Sequence, residues 1–219
     1  GLGDVYKRQE DPAQDPEPRE ECGVFGVWAP GEEVSKLTYF GLFALQHRGQ
    51  EAAGIAVGDD DRIVVFKDMG LVSNVFDESI LSSLHGNVAV GHTRYSTAGG
   101  KEWSNVQPMF GTSPSGVDIA LGHNGNLVNY LELRAEAVKR GLIKPQEESV
   151  SDSMCLSMLL ADGVSEDTSV FDSALKLLPD VKGAYCLTFT DGHTLYAARD
   201  PHGVRPVSYT HLTLPTSAL

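Results

Sequence analysis

The chain has 219 residues, of which 41% are hydrophobic, and a formal net charge of -13. That length buries a real core, in one large domain or two small ones, without a disulfide or metal staple. The acidic balance disfavours a nucleic-acid or anionic-membrane surface, which needs clustered Lys and Arg, and no apolar run approaches the ~18 residues of a membrane span.

Residues 1–21 hold Pro12, Pro16 and Pro18 and seven acidic side chains with few hydrophobes, so a disordered leader is expected. The chain starts at Gly1 rather than Met, which reads as a fragment or a processed product. The early basic residues are not followed by an apolar stretch, so this is no secretory signal. Three cysteines, Cys22, Cys155 and Cys186, cannot all pair, and none lies in a CxxC spacing. A disulfide framework and a self-contained zinc site are therefore not expected, and a reducing, cytoplasmic compartment is.

Composition changes at Cys22. Val24, Phe25, Val27 and Trp28 predict a short buried strand closed by Pro30-Gly31. Residues 34–46 are apolar on most faces and predict a largely buried helix. Ala52–Val57 and Ile63–Phe66 predict a hairpin across Gly58-Asp59-Asp60-Asp61. Val88–Val90 runs into Gly91-His92-Thr93-Arg94, and Val117–Leu121 runs into Gly122-His123-Asn124-Gly125. A helix from Leu127 to Arg140 should end at Gly141. Ser151 should cap a helix with the stripe Met154, Cys155, Met158 and Leu159. Val170–Leu178 predicts a helix stopped by Pro179, and Ala184–Phe189 with Thr194–Ala198 a hairpin across Asp191-Gly192. Short strands in hairpins between blocks of helix predict stacked antiparallel sheets covered by helices.

Taken singly, the polar residues at these strand and helix ends have bland readings. Cys22 could be a small buried hydrophobe, Arg48 a helix C-terminal cation, Asn124-Gly125 a type I′ turn and Asp152 an N-terminal cap. His47, His92 and His123 lack paired metal-ligand spacing and read as structural.

In combination they say more. Cys22-Gly-Val-Phe-Gly26, Gln46-His-Arg-Gly-Gln-Glu-Ala-Ala-Gly54, Gly91-His-Thr-Arg-Tyr-Ser-Thr97, Gly122-His-Asn-Gly-Asn-Leu127 and Ser151-Asp-Ser153 occur in this order. The pattern resembles the glutaminase domain of the amidophosphoribosyltransferases, which are N-terminal-nucleophile hydrolases, over residues 22–206. Gln46-His-Arg-Gly-Gln50 and Arg199-Asp-Pro-His-Gly-Val-Arg-Pro206 favour this family over glucosamine-6-phosphate synthase, asparagine synthetase and glutamate synthase.

The resemblance implies an α+β fold, a four-layer αββα sandwich of two antiparallel sheets flanked by helices, incomplete at the C-terminus. It implies removal of residues 1–21, so that Cys22 carries a free amine and acts as the nucleophile, with Asn124 and Gly125 stabilising an oxyanion. Arg94 would hold the α-carboxylate of glutamine and Asp152 its α-ammonium. Arg48 would support the region around Cys22, and Tyr95 and Thr97, with Gly99-Gly100, would belong to a loop that closes over the substrate. The implied activity is hydrolysis of glutamine to glutamate and ammonia, for 5-phosphoribosylamine synthesis from phosphoribosylpyrophosphate at the entry to purine biosynthesis. Another class II amidotransferase of the glucosamine-6-phosphate synthase kind, or a non-catalytic glutamine-binding module with its leader retained, are the alternatives.

No metal or cofactor is expected within these residues. Mg²⁺, and in some relatives a 4Fe-4S cluster, belong to a full-length enzyme, which is expected to be a homo-oligomer without nucleic-acid or membrane partners. Two departures stand out: Met154 replaces an acidic residue usual in the family, and residues 207–219 do not continue the family pattern. Gly1–Gln9 is a second candidate for foreign sequence.

Overall fold

A computed structural model describes residues 22–60, 62–95, 103–147, 149–205 and 207–209. Among them, eight strands form two antiparallel sheets. The first has the order β1 (Gly23–Trp28), β4 (Val88–Arg94), β2 (Ala52–Asp59), β3 (Arg62–Met69). The second runs β5 (Met109–Thr112), β6 (Asp118–Leu127), β7 (Gly183–Thr190), β8 (Leu195–Arg199). Helices α1 (Val34–Ala44), α2 (Val72–Val75) and α3 (Glu78–Ser83) cover the first sheet. Helices α4 (Tyr130–Lys139), α5 (Asp152–Asp162) and α6 (Val170–Leu177) cover the second. The result is the αββα sandwich that the resemblance implies.

Two larger apolar clusters lie between helices and sheets, one around Leu42, Ile55 and Val72, the other around Leu121, Leu156 and Leu187. The layer between the sheets is thinner and built on Ala56, Ile63 and Ala120. A Cβ added at Gly122 on β6 would meet Val90 and Val24 of the opposite sheet. Alternation along a strand then turns Val90, His92 and Arg94 of β4, and Ala120, Gly122 and Asn124 of β6, into the gap between the sheets. Val24 of β1, and Cys22 just before that strand, share that orientation. Gly54 of β2 allows the closest approach of the two halves, because a Cβ there would run into the Gln107 carbonyl and Pro108.

Several expectations need correction. The α1 helix is not largely buried: Val34, Ser35, Thr38 and Leu42 face the sheet, while Leu37, Phe40 and Phe43 are exposed. Its apolar residues outnumber the positions that one sheet can cover. The β1 strand lies at a sheet edge and ends on an exposed Trp28. The α4 helix starts three residues later than expected, because Leu127 still belongs to β6, and Gly141 follows it with φ 78°. The α6 helix does stop before Pro179, ending at Leu177, and a 3-10 turn, Leu178–Asp180, follows it. The Ser151 cap is present, its hydroxyl accepting from Met154 N–H at 3.2 Å. No described helix is long and apolar enough to cross a membrane.

Replacing Gly54 by Ala is expected to lower stability by about 1–3 kcal/mol, the usual cost of overpacking, seen as a lower urea midpoint. Gly111→Ala on β5, where a Cβ meets only Ala161 at 4.0 Å, should leave the midpoint unchanged or raise it.

Candidate active site

Cys22 directly precedes β1, and the Gly23–Thr93 register sets it opposite Arg94. The Tyr95 N–H donates to the Cys22 sulfur at 3.4 Å, and the thiol points back to the Tyr95 carbonyl at 3.6 Å. Arg48 Nε donates to the Cys22 carbonyl at 3.2 Å. Arg48 reaches it from a 3-10 turn, Gln46–Arg48, that Gln46 ties down. The Gln46 carboxamide donates to the Gly49 carbonyl and accepts from Val72 N–H at 2.6 Å. Gly49 lies flat against the Thr93–Arg94 backbone, where any Cβ would clash. This motif therefore clasps the strand end that carries Cys22. His47 is exposed and caps the Ala44 carbonyl at 3.1 Å, away from the thiol.

Arg94 is 8% exposed and Asn124 5%. Both project into the gap between the sheets, by the alternation above. Asn124 and Gly125 do not form a turn: β6 runs straight through them, paired with Cys186 and Tyr185 of β7. Gly125 has φ 156°, and a Cβ would collide with the Ala184 carbonyl. Glycine is required there by conformation and by close approach together.

Asp152 opens α5 one residue after its cap, so it does not cap the helix itself. Its carboxylate accepts from Leu127 N–H at 3.2 Å, from Ser153 N–H at 2.7 Å and from the Ser153 hydroxyl at 3.3 Å. Oδ1 takes both Ser153 donors, and Oδ2, bonded only to Leu127 N–H, keeps room for a further donor. Ser153 also meets His123 Nδ1 at 2.8 Å. His92 Nε2 lies 3.1 Å from the His123 carbonyl, which can only accept, so His92 carries its proton on Nε2. Sequence reasoning left His92 and His123 as structural residues and did not find Gln107, which joins the same network. Thr97, Gly99 and Gly100 lie outside the described residues, as does the whole of the leader, residues 1–21. Among the described residues no group of three or more His, Cys, Asp or Glu converges as metal ligands would.

Residues 92–217 match the family described as a glutamine amidotransferase domain. The chain belongs to that family. It is 57% identical over 212 residues to the amidophosphoribosyltransferase of Mycobacterium tuberculosis H37Rv, covering 94% of this chain and 40% of that protein. To the Mycobacterium leprae enzyme it is 60% identical over 197 residues, covering 89% and 35%. The glutamine phosphoribosylpyrophosphate amidotransferase of Bacillus subtilis, solved with ADP and GMP, superimposes with a TM-score of 0.73 at 38% identity, over 84% of this chain and 38% of that one. A second structure, of an allosteric regulatory enzyme of purine biosynthesis, gives 0.74 at 40% identity, with the same coverage. The chain thus spans about two fifths of the length of these relatives, and its fold is that of their N-terminal-nucleophile hydrolase domain.

The charges in this amidotransferase domain act on a sheltered thiol. Burial pushes Cys22 up, the Tyr95 N–H and the Arg94 guanidinium pull it down, Asp152 adds to the rise, and the net shift is upward. A resting thiol, not a thiolate, therefore waits at neutral pH. Burial holds His92 down at about 3, against the pull of its bond to His123. Burial likewise lowers His123, against the attraction of Asp152. Both imidazoles are neutral in the folded chain.

An unfolded imidazole takes its proton near ~6.5. Below that pH the unfolded chain binds protons that the native one refuses, so stability falls as pH drops, by ~1.4 kcal/mol per pH unit for each such group until its folded pKa is reached. The urea midpoint should decline steadily from about pH 6.5 to about pH 4. His92→Gln, which keeps a donor for the His123 carbonyl but does not titrate, should flatten that decline.

Proposed function

We propose that this chain is the glutamine-hydrolysing part of an amidophosphoribosyltransferase, supplying ammonia for the conversion of phosphoribosylpyrophosphate to 5-phosphoribosylamine. The observation that carries the reading is a half-buried thiol just before β1 with Arg94 opposite it and Asn124 on the facing strand of the other sheet.

Cleavage between Glu21 and Cys22 makes the nitrogen of Cys22 a free amine. An α-amine has a pKa of ~7.7–8.0, suited to a general base near neutral pH. It takes the thiol proton as sulfur bonds to the side-chain carbonyl carbon of glutamine. The burial that raises the thiol makes this coupled transfer necessary. Negative charge collects on the carbonyl oxygen, where the Asn124 side-chain amide and the Gly125 N–H receive it; such a donor is worth about 3–4 kcal/mol in the transition state. The proton passes to the amide nitrogen, the C–N bond breaks and ammonia leaves. Water then attacks the thioester, releasing glutamate and restoring the thiol and amine.

Arg94 holds the α-carboxylate through two parallel N–H bonds. Asp152 uses the remaining lone pair of Oδ2 for the α-ammonium. Tyr95 and Thr97 belong to the segment that covers the bound glutamine, and Arg48 keeps the Cys22 carbonyl in place. Phosphoribosylpyrophosphate, its Mg²⁺ and any iron–sulfur cluster fall to the part of such an enzyme beyond this chain, and no step above passes through them. We place the enzyme in the cytoplasm as a homo-oligomer.

Labelling the intact protein with 6-diazo-5-oxo-L-norleucine should modify one site, at Cys22, in a chain that begins there. Cys22→Ala should abolish glutamine hydrolysis and leave glutamine binding measurable. Arg94→Lys, with one ammonium in place of a fork, should raise the glutamine KM about 10- to 100-fold, as expected for the loss of a charge-assisted bond. An unchanged KM would remove Arg94 from the substrate site. Glutaminase kcat/KM should fall as pH drops below the amine pKa, since a protonated amine cannot accept the thiol proton.

A further inference from the structure

The ladder between β5 and β6 runs from Thr112–Asp118 to Met109–Leu121. In the same register the next outward-bonding pair would be Gln107 and His123. The main chain does not make it: the ladder stops at Met109, and the Gln107 carbonyl lies against Gly54 of the first sheet instead. The side chain of Gln107 takes over. Its Oε1 accepts from His123 N–H at 2.7 Å, and its Nε2 donates to the His123 carbonyl at 3.3 Å. These are the two bonds that a neighbouring peptide would have supplied. The second Nε2 proton goes to the Ser153 hydroxyl at 3.1 Å. One carboxamide thus bonds the residue before Asn124 and the residue after Asp152.

Gln107 is itself held from both sides. Lys67 Nζ donates to the Val106 carbonyl at 2.5 Å and the Pro108 carbonyl at 3.1 Å, the two that flank it. The same ammonium lies over the Trp103 ring, 5.3 Å from its centroid. Gly54 presses on the Gln107 carbonyl from the first sheet. Gln107, His123 and Ser153 are each at least nine-tenths buried, so water does not substitute for these bonds.

We infer that Gln107 is a positioning residue that, standing in for a strand, sets the spacing between the oxyanion group Asn124 and the ammonium-binding Asp152. The inference rests on the glutaminase reading above. Gln107 touches no reacting atom. It acts through the backbone of His123 and the hydroxyl of Ser153, which passes its own proton to Asp152 Oδ1 at 3.3 Å. A displacement of either end moves one half of the glutamine site relative to the other, and a shift of about 1 Å at such a site costs on the order of 10²-fold in rate.

The test compares the intact, processed enzyme with Gln107→Leu and Gln107→Glu. Glutamine hydrolysis is followed together with alkylation of Cys22 by iodoacetamide, which needs neither Asn124 nor Asp152. Gln107→Leu should lower kcat on the order of 10²-fold and raise the glutamine KM, while alkylation keeps its parental rate. Gln107→Glu matches the native shape, so it carries the test should the leucine variant not fold. Ionised, it accepts from His123 N–H but donates to nothing, and protonated it regains one donor. Its activity relative to the parent should therefore recover as pH falls. Lower melting temperatures with parental kcat and KM in both variants, or a Gln107→Glu profile parallel to the parent at all pH values, would overturn the assignment. A parent that does not hydrolyse glutamine would instead remove the glutaminase reading itself, and this assignment with it.

Discussion

The carbonyl oxygen of His123 is the point where the two sheets and the α5 helix meet. It accepts from His92 Nε2 of the first sheet and from Gln107 Nε2 of the segment entering the second. Both lone pairs are used, in a place that water does not reach. A buried carbonyl stripped of a partner costs ~1–3 kcal/mol, so no member of this group moves without the others. The apolar layer around it is too thin to set the spacing alone, resting on Ala56, Ile63 and Ala120. Small residues bring the sheets close, and polar groups decide where they stop.

Proton placement follows from that seam. His92 must donate from Nε2, which leaves a bare Nδ1 without a partner. In His123 the unpartnered atom is Nε2. If Nδ1 carries the proton there, it donates to Ser153, Ser153 donates to Asp152, and every hydrogen in the chain is used. The two orphan nitrogens are then both acceptors, the cheaper kind of group to leave unpaired. A charged imidazole at either position would add a proton with nothing to receive it. Neutrality of the pair is a consequence of one hydrogen-bond count. The electrostatics at Cys22 inherit this result: Arg94 pulls the thiol down and Asp152 pushes it up, and no cationic histidine shifts that balance toward a standing thiolate.

Much of this was legible in the sequence because chemistry and local structure agree at the motif ends. The strands leading into Arg94 and into Asn124, and the Ser151 cap before Asp152, follow from alternation and capping alone. What alternation cannot reveal is where a strand stops. Asn124-Gly125 has the composition of a tight turn, yet β6 continues to Leu127 because β7 pairs with it along its length. The exposed side of α1 escapes the sequence for a related reason. Apolar composition says that Leu37, Phe40 and Phe43 prefer burial, but only packing says whether a neighbour exists. Gln107 left no signal at all: a single glutamine before a proline has no period and no motif spacing. Its significance comes from a register that continues past the last main-chain pair, which only the three-dimensional ladder discloses.

That register also couples the seam to the proposed chemistry. Along β6 successive side chains point to opposite faces, so His123 meets Ser153 on the helix side only if Asn124 faces the first sheet. A slip by one residue would exchange them, turning Asn124 toward α5 and an imidazole toward Cys22. An apolar surface of this thinness would oppose such a slip weakly, since Ala120 and Gly122 offer little shape to lock. The hydrogen bonds oppose it strongly, because in the slipped arrangement Gln107 would face the wrong peptide and Ser153 would lose its imidazole. Two of the groups that place Asn124, the His123 ring and Ser153, therefore lie on the far side of the strand from the thiol, and the face of β6 that never meets substrate helps to determine the one that does.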